Sequence, residues 1–103
     1  MINNLCAEAH ITSKEHGFWE PGYITIKEER TLLLAKMALI VSEVGEAVEE
    51  IRKEGFANLE EELADICIRV FDLSGYLEYD LQESILQKME KNKTRPFKHG
   101  KEA

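Results

Sequence analysis

The sequence is poor in cysteine, proline and aromatic residues, carries no excess of positive charge, and has no long apolar run. Cysteine occurs twice, at Cys6 and Cys67. That spacing matches neither a zinc-ligand pattern nor a redox pair, and Cys67, set in an apolar helical stretch, reads as a buried thiol. Proline also occurs twice, at Pro21 and Pro96, so nothing between them enforces a helix break. The longest apolar segment, "LLLAKMALIV", is interrupted by Lys36 and falls short of the ~18 apolar residues of a membrane span. The opening "MINNLCAEAH" has no basic region ahead of an apolar core, so no signal peptide is expected. Together with the cysteine usage this points to a cytoplasmic protein. Acidic residues outnumber basic ones by 20 to 13, a formal net charge of −7. That argues against a general binder of nucleic acid or anionic membrane. A nucleotide ligand remains compatible, because a divalent cation reverses the local sign.

What the chain does contain is helical periodicity. Its 103 residues suffice for a single domain over 1–103 with one small core. A first helix is expected from about residue 2 to 16, stopped by Gly17, followed by a loop at "GFWEPG". A long second helix runs from about 26 to 54, with Gly55 as its stop. Asn58 with Glu61, and Asp80 with Glu83, read as N-terminal capping pairs of a third helix to about 78 and a fourth to about 93. The tail "TRPFKHGKEA" reads as irregular. Leu33, Met37, Ile40, Val44, Val48 and Ile51 form one apolar seam, and Leu59, Leu63, Ile66, Val70, Leu73 and Leu77 a second. The expected fold is all-α, a four- to five-helix bundle whose thin core is completed by oligomerisation.

The acidic residues are placed in a pattern that helical packing does not require. Glu43 and Glu46 are three apart in "SEVGEAVEE", so they share a face, and that face carries Leu39 and Ala35 one turn earlier. Gly45 between them costs ~1 kcal/mol relative to Ala in a helix; it leaves the backbone open to a ligand or another helix. On the third helix Glu62, Asp65, Arg69 and Asp72 make one narrow polar stripe, either a solvent face or a seam lining a site between helices. Glu43-x-x-Glu46 and Glu62-x-x-Asp65 lie on consecutive helices joined by a short loop and can face each other. Four facing carboxylates in a half-buried cleft do not all stay ionised unaided. A hard divalent cation such as Mg²⁺, with Mn²⁺ as a substitute, resolves the conflict. No Glu-x-x-His occurs, so the di-iron bundle pattern is not met.

These motifs resemble the MazG-like all-α nucleoside triphosphate pyrophosphohydrolases, with "SEVGEAVEE" and "EELADICIRVFDL" similar to the two halves of the family's acidic motif. "KMEKNKTRPFKHGK" resembles the segment after the last helix in many members. "EAHITSKEHGFW" is similar to the start of the dCTP pyrophosphatase branch. The resemblance implies hydrolysis of a (d)NTP between the α- and β-phosphates to (d)NMP and pyrophosphate, in nucleotide-pool house-cleaning. It implies Glu43, Glu46, Glu62 and Asp65 as magnesium ligands and catalytic residues, and a homodimer or homotetramer. Lys88, Asn92 and Arg95 would hold phosphate oxygens. His10 and Trp19 would flank the base, Trp19 by stacking. Lys36, seven residues before Glu43, would reach phosphate or else snorkel into water. Two departures argue against a tight cytosine pocket. Arg69 stands where the dCTP branch has an aromatic residue, and "EEIRKEG" replaces a stretch that carries another. A phosphoribosyl-ATP pyrophosphohydrolase, a dUTP-directed relative and a catalytically silent all-α interaction module remain as alternatives.

Overall fold

The computed structural model describes residues 1–19 and 24–95. Among these residues there are four helices and no strand: α1 (Ile2–Glu15), α2 (Ile26–Arg52), α3 (Leu59–Leu77) and α4 (Leu81–Lys93). The expected helix ends agree with these within two residues. Parts of the expected loop at "GFWEPG" and of the irregular tail lie outside the described residues.

Local chemistry explains most of the boundaries. Thr25 opens α2 with a complete capping box, its side chain accepting from the Glu28 N–H while the Glu28 carboxylate accepts from the Thr25 N–H, so two otherwise orphaned donors are satisfied. This box is not among the capping pairs expected above. Asp80 caps α4 as expected, accepting from the Glu83 N–H at 3.2 Å. Asn58 does not cap α3, because its side chain makes no capping hydrogen bond. Its backbone N–H instead donates to Glu50 Oε1 at 3.0 Å. The carboxylate that organises the α2–α3 turn therefore comes from the previous helix. Glu60, Glu61 and Glu62 occupy the first turn of α3, where the helix dipole favours negative charge.

The central element is α3, which packs against α1 on one side and α2 on the other, while α4 rests on α1. The α1–α3 pair runs antiparallel. Asn3 bonds to Asp80, Cys6 lies against Gly75 and His10 bonds to Asp72. A Cβ at Gly75 would sit 2.5 Å from the Cys6 carbonyl oxygen and 2.8 Å from His10 Cβ, so the two helices touch there through a missing side chain. Gln82 ties the start of α4 to the start of α1: its Oε1 accepts from the Met1 amino group and the Ile2 N–H, and its N–H donates to Asn3 Oδ1.

The interior is thin and partly polar. Cys6, Trp19 and Ala47 are its buried apolar residues, joined by Glu50, Asp72 and Ser74. Two expectations are corrected here. Cys67 is exposed and Cys6 is the buried thiol. The α2 seam is not a closed core within one chain, since Met37, Val44, Val48 and Ile51 remain exposed. Farther toward the start of α2, Ile26 is 82% and Leu34 66% exposed. The physical reason is rotation: α2 turns Leu33, Lys36, Ile40, Glu43, Ala47 and Glu50 toward its neighbours, so the flank carrying Met37, Val44, Val48 and Ile51 stays uncovered. No helix among the described residues is long and apolar enough to cross a membrane.

Candidate functional site

The polar stripe of α3 faces neighbouring helices. Asp72 is only 5% exposed, and Glu62, Asp65 and Arg69 are half-buried. Across the cleft, α2 supplies Glu43. Glu43, Glu62 and Asp65 each bring one carboxylate oxygen to within 4.8 Å of the others, close enough for three oxygens to hold one cation. Glu46 lies outside this trio but shares with Glu62 an acidic groove of about 340 Å³. Of the four expected ligands, three thus converge and the fourth stands beside them. Gly45 opens on that same groove, and a Cβ there would meet nothing within 4 Å. Close helix packing depends on Gly75, and the Gly45 face is open.

The electrostatics of the cluster favour a bound cation. Glu62 Oε2 is buried without a hydrogen-bond partner. Its carboxyl is held above the ordinary carboxylate range, first by loss of hydration, then by the charges of Glu46, Asp65, Glu43 and Glu50. Three converging carboxylates, one of which also has a buried, unpaired oxygen, are a donor set suited to a hard cation. Glu50 differs in kind. It is buried, accepts from Asn58 N–H and pairs with Lys53 at 3.2 Å. Its pKa is lowered, chiefly by the Asn58 hydrogen bond. It is a turn-forming carboxylate, already satisfied by the protein.

These opposite shifts predict a pH signature. A raised Glu62 pKa penalises the folded state at neutral pH, and the penalty is relieved as pH falls through the folded value, above the ordinary 4.5. Lowered Glu50 and Asp80 pKa values stabilise above the ordinary 4.5 and 3.8, and that support is lost only at lower pH. The isostere Glu62→Gln should therefore melt higher than the wild type at pH 7, with the gap shrinking as pH falls toward the ordinary glutamate value of 4.5. Melting curves of the two proteins at each pH, with chelator, check this; a gap independent of pH contradicts it.

Next to the carboxylates lies an aromatic pocket assembled from α1, the segment after it, α2 and α3. Trp19 stacks on Tyr76 with centroids 4.3 Å apart and rings 13° from parallel. Its Nε1–H donates to Asp72 Oδ1 at 2.9 Å. The same oxygen accepts from His10 Nδ1 at 2.9 Å, and the His10 ring meets Trp19 edge-on at 5.1 Å. Lys36 Nζ sits over the indole ring, 4.2 Å from its centroid, and donates to the Phe18 carbonyl. Burial lowers the Lys36 pKa, the Asp72 charge opposes that, and Arg69 adds to the lowering. Burial also raises the Tyr76 hydroxyl, with the Glu29 charge adding to the shift. His10, Trp19 and Lys36, far apart in sequence, are thus brought together. Asp72 and Tyr76 complete the pocket without having been read as site residues. The available signal was Tyr76 one turn after Asp72 on the stripe face.

Arg69 stands between the two groups. Its Nε donates to Glu43 Oε1 at 3.2 Å, and its guanidinium carbon lies 4.8 Å from the Phe18 ring centroid. A groove of about 590 Å³ between α1 and α3 has Asp65, Arg69, Asp72 and Phe18 on its wall. Lys88, Asn92 and Arg95 lie on or just beyond α4, all exposed. Arg95 follows the helix end, as expected from Pro96. Among the described hydrogen bonds and grooves, none of these three meets the carboxylates.

Carboxylates aimed from two helices into one cleft define an all-α protein with an acidic cluster able to hold a metal ion. Residues 30–99 match the family model of the MazG nucleotide pyrophosphohydrolase domain. The chain belongs to that family, and its membership supports a nucleotide pyrophosphohydrolase activity in general. The matched span includes Lys36, the four acidic positions and Lys88, Asn92 and Arg95; His10 and Trp19 lie outside it. Comparison with curated proteins and with solved structures gave no match.

Proposed function

We propose that this single-domain chain is a Mg²⁺-dependent nucleoside triphosphate pyrophosphohydrolase that removes pyrophosphate from (d)NTPs, leaving (d)NMP, as part of nucleotide-pool house-cleaning in the cytoplasm. The observation that carries the reading is the convergence of Glu43, Glu62 and Asp65, with a buried, unpaired oxygen on Glu62, in a chain of this family. Mg²⁺, or Mn²⁺ in its place, would be held by these carboxylates and would supply the charge that offsets the phosphates and makes water more acidic. Glu46, beside Glu62, either joins the ligand set or accepts the proton of the attacking water.

The nucleoside end fits the groove of about 590 Å³ beside Asp65 and Arg69, a volume typical of small-molecule sites. Trp19 is not on that groove's wall and meets Tyr76 and Lys36, so a base would stack on it only once Lys36 left the indole, and the natural destination of that ammonium is the triphosphate. Asp72 keeps His10 and Trp19 in fixed orientation while this happens. Lys88, Asn92 and Arg95 serve as phosphate ligands if a second copy of the chain brings its α4 to the cleft. A homodimer or homotetramer would also bury the exposed apolar residues of α2.

Thermal denaturation with and without Mg²⁺ tests the metal reading. A ligand bound only by the folded state at about a hundred times its Kd stabilises by ~2.7 kcal/mol, several degrees for a chain of this size. A silent interaction module offers no reason for such a shift, and its absence with both Mg²⁺ and Mn²⁺ rules the reading out.

A further inference from the structure

The residue that the acidic cluster itself recruits is Arg69. Glu43 is the only one of the three converging carboxylates with an ion-pair partner among the described salt bridges, and that partner is Arg69. Both side chains are largely shielded, at 26% and 14% exposure for Arg69 and Glu43, so the pair is not a loose surface contact. A cation ligated by Glu43 and the Arg69 guanidinium therefore draw on the same carboxylate. The other side of Arg69 lies over Phe18, whose neighbour Trp19 anchors the aromatic pocket. Arg69 thus bridges the carboxylates and the pocket from a position on the groove wall.

We propose that Arg69 is an exchangeable counter-charge that competes with the divalent cation for Glu43 and, once displaced, binds a phosphate group of the substrate. This rests on the metal reading above and assigns a positioning and substrate-binding role to a residue outside the four carboxylates. The chemistry favours the exchange. A guanidinium forms bidentate hydrogen bonds with phosphate as readily as with carboxylate, and the aromatic face of Phe18 gives its cationic plane a fixed support. The cation would take over the neutralisation of Glu43 as the triphosphate takes over that of Arg69, so no charge in the cleft is left unpaired.

The signature is a pair of effects of opposite sign. Arg69→Gln should bind Mn²⁺ about three- to ten-fold more tightly by calorimetric titration, because the competitor is gone. The metal-loaded variant should bind inorganic tripolyphosphate roughly ten- to a hundred-fold more weakly. Lys36→Met removes a neighbouring charge that pairs with none of the three carboxylates, and its Mn²⁺ affinity should stay close to wild type. A purely structural role for Arg69 would weaken both ligands together. Unchanged or weaker Mn²⁺ binding in Arg69→Gln overturns the proposal. So does an equal gain in Lys36→Met, which would make the effect one of general field, and so does undiminished tripolyphosphate binding. Failure of the wild type to bind Mn²⁺ at all would instead sink the metal reading, and the exchange with it.

Discussion

Glu62→Gln should abolish metal-dependent turnover, by about 10²-fold or more, while raising the melting temperature of the metal-free protein. Both effects have one cause. Glu62 carries the buried unpaired oxygen, and loss of hydration together with the charges of Glu46, Asp65, Glu43 and Glu50 opposes its ionisation. Glutamine keeps the shape and removes the charge, so the repulsion is relieved and the ligand is lost. Glu43→Gln gives a contrast. It should lose turnover to a similar extent, but it strands Arg69, so the metal-free protein should be less stable, by about 1 kcal/mol. Opposite shifts in melting temperature with the same loss of activity would separate charge relief from general disruption. If Glu62→Gln retains near wild-type turnover at saturating Mg²⁺, Glu62 is not a ligand.

Gly75→Ala should be the most damaging small substitution in the fold. A helix-interior Gly→Ala exchange gains ~1 kcal/mol from propensity alone. Here the new Cβ would lie 2.5 Å from a backbone oxygen and 2.8 Å from His10 Cβ, neither of which can rotate away. Helix α1 must shift as a body, at a cost of about 1–3 kcal/mol or more, and the shift carries His10 off Asp72. Gly45→Ala is the matching control. Its Cβ meets nothing, so the isolated chain should gain up to ~1 kcal/mol. A drop in kcat/KM despite that gain would show that substrate or a second subunit approaches the Gly45 face. Chemical denaturation of both variants decides the order; a Gly75→Ala protein as stable as wild type would mean that α1 and α3 do not meet as described.

The sequence made the helices legible because their caps and breakers are local. Gly17, Gly55 and the Asp80–Glu83 pair act within a turn of their own position, and the ends fell within two residues. The acidic cluster was legible for a related reason: three-residue spacing on two helices joined by a short turn leaves few ways for the pairs to avoid each other. What could not be read was which contacts each residue would make across helices. Asn58 looked like a cap, but Glu50, eight residues earlier in sequence, reaches its N–H first. The α2 seam looked like core, but periodicity reports an apolar face without saying what covers it. Asp72 was visible as part of a stripe, yet its role depends on Trp19 and His10 arriving from more than fifty residues away. Arg69 could be read as a member of that stripe and as a departure from an aromatic position, but its partner could not be read: Glu43 lies on another helix, 26 residues away.

The most direct measurement is product analysis with purified protein, each canonical (d)NTP, and either Mg²⁺ or chelator. Cleavage between the α- and β-phosphates predicts equal amounts of nucleoside monophosphate and pyrophosphate from at least one triphosphate, with no orthophosphate, and none of either product when the metal is removed. Release of orthophosphate with a nucleoside diphosphate, or no hydrolysis of any triphosphate with Mg²⁺ or Mn²⁺ present, would contradict it.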